Sequence, residues 1–394
     1  MEESVKIEKL GNIVDVKGGK RLPKGISLIS TPNNHPYIRI RDLGASKILE
    51  LNSAYEYVDD ETQKTIARYI VSSGDILISI VGTIGLVGIV GDSLHGANQT
   101  ENCVKLVNLK GIDRDYLYYF LSSNLGQNEI KRGIVGAVQS KLPIKNIENI
   151  NIPLPSLALQ KSIASILSSL DSKIELNRRI NDNLEQQAQA LFAEVFESDH
   201  TFTQLGAVIE TCSGGTPSRN NLDYYIDGTI CWVKSKELNR SFLFDTEEKI
   251  AQVGIDRSSA KLLPKNSVLI AMYGATVGEY CIIDKPMTCN QAICALLPSS
   301  DYPASYLYMF IKQKRNELIN LAVGSAQQNI SQVLIKGLSV SANLKLIAKF
   351  DKMVMPIFNM IRKNVKESII LEAERNTLLP RLMSGELKIN DLNC

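Results

Sequence analysis

Apolar residues along this chain follow two rhythms, and each rhythm occurs twice. The first is a set of short continuous apolar runs bounded by Gly, Pro and Asn. Ile76-Leu-Ile-Ser-Ile80 and Val268-Leu-Ile-Ala-Met272 are the clearest of these and predict buried strands. Residues 115–125 and 304–318 predict short helices. The second rhythm begins at Ser156, a helix N-cap placed after the breakers Pro153 and Pro155. From there apolar positions step by four and three through Ile163, Leu167, Leu170 and Ile174. After Asn177 and Asn181 the steps resume at Leu184, Ala188, Leu191 and Val195. That is a coiled-coil seam with two polar interruptions. Either the asparagines sit in the seam and fix its register, or the seam drifts onto Ile180 and they face water.

A second long helical stretch, 343–384, places Ile347, Phe350, Val354, Ile357, Ile361, Val365 and Ile369 along one face. Pro356 inside it predicts a kink or a split, and Pro380 with Gly385 predicts its end. At 1.5 Å per residue, a helix of about 40 residues is about 60 Å long. Two such helices in one chain can bury their seams as an antiparallel pair.

The duplication extends to the globular parts, at an offset of 188 to 196 residues. Leu10-Gly11 returns as Leu205-Gly206, and Gly18-Gly19 as Gly214-Gly215. Tyr37-Ile-Arg-Ile-Arg-Asp-Leu43 returns as Trp232-Val-Lys-Ser-Lys-Glu-Leu238. Asn98-Gln99 lies 16 residues after Gly82, as Asn290-Gln291 does after Gly274. Tyr116-Leu-Tyr-Tyr-Phe120 returns as Tyr306-Leu-Tyr-Met-Phe310, and Gly136-x-x-Gln139 as Gly324-x-x-Gln327. The fold class implied is α+β: two repeated α/β domains, 1–155 and 200–342, each followed by a long helix, 156–199 and 343–387. If the helices run antiparallel, an approximate two-fold axis relates the repeats. A two-fold arrangement can present the same face to each strand of a DNA duplex at two separated half-sites.

Composition narrows the function classes. The 394 residues are 44% hydrophobic and 22% charged, with a formal charge of +2, which is ordinary globular composition and neither histone-like nor DNA-mimicking. The longest nearly apolar run, 76–90, has 15 residues and three glycines, too short to span a bilayer. The opening MEESVKIEKL lacks an apolar stretch, so no signal peptide is expected. Seven cysteines without any Cys-x-x-Cys, and three scattered histidines, predict reduced thiols and no metal site.

Local charge is more informative than the total. Lys17, Lys20, Arg21, Lys24, Arg39, Arg41 and Lys47 face only Asp42 within 17–47, and Gly18-Gly19 and Pro23 suggest a mobile, phosphate-contacting loop. The counterpart holds Arg219, Lys234, Lys236 and Arg240 against Asp223, Asp227 and Glu237. Arg39 and Arg41 alternate with Ile38 and Ile40, which predicts one face of a strand, and Lys234 and Lys236 repeat that spacing. A solvated charged surface would carry the same pattern. Asn98, Gln99, Asn290 and Gln291 either offer amides to adenine or satisfy turn backbone groups.

Catalytic signatures are absent. Gly82-x-x-Gly85-x-x-Gly88 lacks the dinucleotide spacing, and its sequel reads as strand and turn. There is no phosphate-binding Gly-x-x-x-x-Gly-Lys-Ser/Thr loop, no Gly-x-Ser-x-Gly elbow and no His-Glu-x-x-His. The 13 prolines are never adjacent, so no Pro-Pro-aromatic motif of amino-methyltransferases is present.

Taken together, the Leu-Gly openings, Gly-Gly-Lys at 18–20 and Gly-Gly-Thr-Pro at 214–217 resemble the specificity subunits of Type I restriction–modification enzymes. So do the run 74–85 with Thr83, Tyr-Gly-Ala-Thr-Val-Gly at 273–278, Ile-Pro-Leu-Pro-Ser-Leu-Ala-Leu-Gln at 152–160 and the tail 378–386. The resemblance covers essentially the whole chain. It implies that each globule is a target recognition domain reading half of a split site in double-stranded DNA. It also implies helices that set the gap and dock two modification subunits. Those subunits would bind S-adenosylmethionine and methylate adenine, while restriction subunits would use ATP and Mg. The chain itself would bind no cofactor or metal, catalyse nothing, contact no membrane and reside in a prokaryotic cytoplasm.

The expected DNA contacts are Lys17, Lys20, Arg21, Lys24, Arg39, Arg41, Lys47, Thr83, Asn98, Gln99 and Gln139 in the first repeat. In the second they are Arg219, Lys234, Lys236, Arg240, Asn290, Gln291 and Gln327. Helix pairing and docking are expected at Ile163, Leu167, Leu170, Ile174, Leu184, Leu191, Ile347, Val354, Ile361 and Val365. The second repeat departs from the family at Leu338-Ser-Val-Ser-Ala-Asn343, where a proline-rich entry is usual, and at Pro356. Rival readings are a non-catalytic protein scaffold and a self-sufficient DNA methyltransferase.

Overall fold

The computed structural model describes residues 5–44, 46–136, 139–322 and 329–388. They fall into two compact units whose boundaries cut both long helices, between Lys173 and Ile174 and between Ile370 and Leu371. Each unit therefore contains one globule and a segment of each helix.

The two globules share one topology. In the first, a five-stranded sheet has the order Asp15–Gly18, Cys103–Val107, Ile76–Ser79, Val87–Val90, Ile48–Leu49. In the second the order is Thr211–Ser213, Ile293–Leu296, Val268–Ala271, Tyr280–Ile283, Phe242–Leu243. The apolar runs form the central strands, buried on both faces, and each opens an antiparallel hairpin as its turn residues predict. A three-stranded sheet accompanies each: Glu56–Tyr57, Pro36–Ile38, Asn98–Gln99 in the first, and Lys249–Ile250, Ile230–Val233, Thr288–Cys289 in the second. One face of each large sheet packs on the helices; Ile76, Ile78 and Leu106 join Ile163 and Leu167 in the first unit. The other face, through Leu77 and Val90, packs toward the small sheet with Ile38 and Leu43.

The predicted helices are present as Leu157–Phe196 (the central helix) and Leu344–Ser384 (the C-terminal helix). Ser156 accepts the Leu159 N–H at 3.4 Å, the cap expected of it. Within each unit the segments pair antiparallel. In the second unit the Phe192 and Phe350 rings lie edge-to-face at 5.2 Å, and Asn177 meets Asn364 and Glu367. In the first unit Arg375 holds Asp171 at 2.7 Å, while Ile163 and Leu167 share a core with Leu382 and Met383. Ile347, Val354, Ile361 and Val365 are buried, and Leu170, Ile174, Leu184 and Leu191 are half-buried.

The question of seam drift is resolved in favour of the asparagines. Asn177 is 1% exposed while Ile180 is 37% exposed. Asn177 Nδ2 donates to Glu367 Oε2 at 2.8 Å, and Asn364 Nδ2 to Asn181 Oδ1 at 2.9 Å.

The C-terminal helix ends where Pro380 with Gly385 places its end, at Ser384 before Gly385 with φ of 75°, while Pro356 does not split it. An interior proline costs about 3 kcal/mol. Around Pro356 the buried Val354, Phe358 and Ile361 anchor the helix on both sides. Around Pro380 the same holds for Leu382 and Met383.

Candidate nucleic-acid interface

The candidate cations occupy equivalent places in the two repeats, but not as predicted. Pro36–Ile38 is a strand of three residues, and the chain then turns into a 3₁₀ helix at Ile40–Asp42. Arg39 and Arg41 therefore flank a turn and do not share a strand face. The alternation misled because Ile38 and Ile40 both pack on the same apolar cluster despite the turn. In the second repeat Ile230–Val233 is followed by the 3₁₀ turn Ser235–Glu237, which places Lys234 and Lys236 the same way. Each turn is closed by its own acid. The Arg39 N–H donates to Asp42 Oδ2 at 2.7 Å, and the Lys234 N–H to Glu237 Oε2 at 2.7 Å.

At both places the cations converge on carboxylates from a neighbouring segment. Arg39 and Arg41 both pair with Glu56, Arg41 at 2.9 Å, and Arg41 also donates to the Ala54 carbonyl at 2.9 Å. Lys234 pairs with Glu248, Arg219 reaches the same Glu248 at 2.7 Å, and Lys236 reaches Glu247 at 2.6 Å. Bonds from Lys234 and Lys236 hold the Glu248 and Glu247 carboxyls below the usual carboxylate range. Arg219 also lies over the rings of Tyr225 and Trp232, with its guanidinium carbon 4.5 and 5.1 Å from the centroids. Exposed ion pairs of this kind contribute about 0–1 kcal/mol to stability. Arg41 and Arg219 remain more than half exposed and can exchange a carboxylate for a phosphate at small cost. Sequence reasoning missed Glu56, Glu247 and Glu248, whose distance along the chain carries no motif.

The remaining candidates divide by exposure. Lys17, Lys20, Lys24, Thr83, Gln139 and Gln291 are exposed. Arg21 is exposed and pairs with Glu101 at 2.8 Å. Arg240 and Asn290 are half-buried; Asn290 Oδ1 accepts the Ala292 N–H at 3.2 Å, the turn-satisfying alternative, and Gln291 accepts from the Thr216 hydroxyl. Gln327 lies outside the described residues.

Three expectations do not hold. Asn98 and Gln99 are 0% and 1% exposed, because they form a strand of the small sheet; Asn98 donates to Gln63, and Gln99 to the Cys103 carbonyl at 3.5 Å. The Gly18-Gly19 loop is tethered. The Gly19 N–H bonds Cys103 O and the Lys20 N–H bonds Gln99 O, and a Cβ on Gly19 would lie 2.1 Å from the Thr100 carbonyl oxygen. Gly214 repeats that approach, 2.2 Å from Asn290 O, so the duplicated glycine serves backbone contact. Lys47 is inward-facing, with its side chain 11% exposed and bound to Asp115, Ser168 and Tyr119.

Among the described residues no group of three or more His, Cys, Asp or Glu side chains is arranged to hold a metal ion. Cys103, Cys212, Cys231, Cys281, Cys289 and Cys294 are free and buried. No described helix is long and apolar enough to cross a membrane.

A duplicated α/β domain with mirrored cation clusters and two long paired helices defines a two-module recognition protein. Comparison places it. Residues 2–186 and 197–341 each match the Type I restriction modification DNA specificity domain, so the chain belongs to that family. It is a non-catalytic specificity subunit with two DNA recognition domains. It is similar to the Type I restriction enzyme MjaIX specificity subunit of Methanocaldococcus jannaschii, 22% identical with 98% of this chain and 94% of that one covered. It is also similar to the HindI specificity subunit of Haemophilus influenzae, 25% identical over 63% of this chain and 71% of that one. The crystal structure of the S subunit from M. genitalium shares the fold, with TM-score 0.55, 18% identity, and 97% and 96% of the two chains covered.

Proposed function

We propose that each recognition domain reads one half of a bipartite site in double-stranded DNA, with the long helices setting the gap and docking two modification subunits. Adenine methylation from S-adenosylmethionine belongs to those subunits, and ATP- and Mg-dependent restriction to further subunits, all in a prokaryotic cytoplasm. The domains extend over 1–155 and 200–342, and the helical segments over 156–199 and 343–387. The observation that carries this reading is the placement of Arg39 and Arg41 in one domain and Lys234 and Lys236 in the other. Both pairs leave the small sheet at the same 3₁₀ turn, partly exposed, on exchangeable carboxylates. Arginine and lysine in such positions suit phosphate and guanine edges.

The test is methylome sequencing of a methylation-free host that expresses this chain with its cognate modification subunit. The expected result is one two-part motif carrying methyladenine on each strand. An undivided motif overturns the one-domain-per-half reading. Absence of methylation with a folded, bound modification subunit favours a protein scaffold.

A further inference from the structure

The first unit contains a basic recess, and two of its lysines are replaced by apolar residues at the equivalent described positions of the second. Edge strand Asp15–Gly18 pairs with Cys103–Val107 in a register that sets Lys17 directly opposite Lys105. Like charges facing each other across an antiparallel pair destabilise it. Arg68 and Tyr69, from the 3₁₀ turn Ala67–Tyr69, line with these lysines and Gly18 an open recess of about 370 Å³. Lys20 Nζ lies 5.9 Å from the Tyr69 ring centroid. Lys105 is held by Asp75 at 3.4 Å and donates to the Ile70 carbonyl at 2.6 Å. Among the described residues Lys17 and Arg68 form no ion pair.

The second repeat acts as an internal control. There the register sets Cys212 opposite Ala295. The backbone bonds of Gly19 and Lys20, to Cys103 O and Gln99 O, recur as bonds of Gly214 and Gly215, to Ile293 O and Cys289 O. Lys17, Lys20 and Lys105 thus correspond to Cys212, Gly215 and Ala295. Cys212 and Ala295 belong to an apolar core, and a Cβ on Gly215 would lie 2.3 Å from the Ser259 carbonyl carbon. Lys261 remains nearby, close enough for its charge to act on Cys212. Cations gathered on a concave surface with an aromatic wall, two of them opposed in the sheet, favour a negatively charged ligand.

We propose that this recess seats a phosphodiester of duplex DNA in the first domain only, so the two half-sites are held with unequal electrostatic weight. The proposal rests on the DNA reading above. The experiment measures fluorescence anisotropy of labelled duplex with the full chain assembled with its modification partner, between roughly 50 and 300 mM salt. Lys17→Gln/Arg68→Gln is compared with wild type and with Lys261→Gln. The double variant is expected to bind about tenfold more weakly, on cognate and non-cognate duplex alike. Its slope of log affinity against log salt should fall by about 1 to 2. Lys261→Gln should leave the slope unchanged, and the charge-conserving Lys17→Arg/Arg68→Lys should restore it, which separates charge loss from misfolding. An unchanged slope beside tight wild-type binding overturns the recess and leaves the DNA reading standing. A wild-type melting temperature raised by millimolar inorganic phosphate, with an unchanged DNA slope, assigns the recess to a free anion and overturns the DNA assignment. A wild-type complex that binds no DNA overturns both.

Discussion

At the scale of single residues, the candidate cations prove to be of two kinds, and Lys47 marks the difference. It stands in a run of basic residues, but its ammonium lies 2.8 Å from Asp115, 2.7 Å from the Ser168 hydroxyl and 4.4 Å from the centre of the Tyr119 ring. Tyr119 in turn donates to Asp171 at 2.6 Å, and Asp171 accepts from Arg375. Burial pushes the Asp115 carboxyl up, but the bond and charge of Lys47, with Arg114, carry it below its usual range. A depressed carboxyl stabilises the fold fully above its unfolded value of about 3.9, and the contribution is lost as pH falls below that. Lys47→Met should therefore lower stability at neutral pH by about 1–2 kcal/mol, because a half-buried carboxylate loses its main partner and keeps only Arg114 at 3.2 Å. It should also flatten the acid side of the stability curve below about pH 4. Thermal melts from pH 7 to 3 check both effects; an unchanged neutral midpoint would mean that solvent replaces the ammonium freely. None of this was legible in the sequence. The partners of Lys47 lie 72 and 121 residues away, and a lysine docked on a helix is spelled like one facing DNA.

At the scale of elements, legibility was high wherever burial repeats with a fixed period. The seam positions, both long helices and the central strands follow from spacing alone, because packing one face of a helix or both faces of a strand demands it. Prediction failed where packing overrode local preference. Pro356 reads as a kink or a split because the local rule is strong, yet buried neighbours keep the helix continuous through it. The alternation Ile38, Arg39, Ile40, Arg41 fits a strand, but the chain turns after Ile38. The seam asparagines also belong to this scale. Asn177 Oδ1 is buried without a partner, while Nδ2 reaches Glu367, so the amide is only half satisfied. A buried unsatisfied carbonyl costs about 1–3 kcal/mol, and a polar seam residue sets register at the expense of stability. Asn177→Leu is expected to raise the melting midpoint by a few degrees, roughly 1 kcal/mol, whereas Val354→Asn should lower stability by about 3 kcal/mol or more. A destabilised Asn177→Leu would show that the bond to Glu367 outweighs the unpaired oxygen.

For the whole molecule the duplication is the main fact, and it sets the sharpest test of function. Each unit repeats the same sheets, the same tethered glycine and the same 3₁₀ turn that carries two cations. The ordered pairs of motifs made that duplication visible in the sequence. What they could not show is which carboxylates the cations meet: two arginines share Glu56 in the first, while two lysines and Arg219 divide Glu247 and Glu248 in the second. Arginine binds guanine or phosphate through a planar fork and lysine as a point charge, so the two turns should differ in what they read. If each domain reads its own half-site, Arg39→Gln/Arg41→Gln should relax one half of the methylated motif and leave the other half at wild-type stringency. Lys234→Gln/Lys236→Gln should do the converse. Each base pair whose direct contact is lost should lose about 1–3 kcal/mol of discrimination, roughly a 5- to 150-fold change in relative methylation. Methylome sequencing of both variants beside wild type reads the two halves in one experiment. Degradation of both halves by either variant would place the cations in general affinity and refute a half-by-half code.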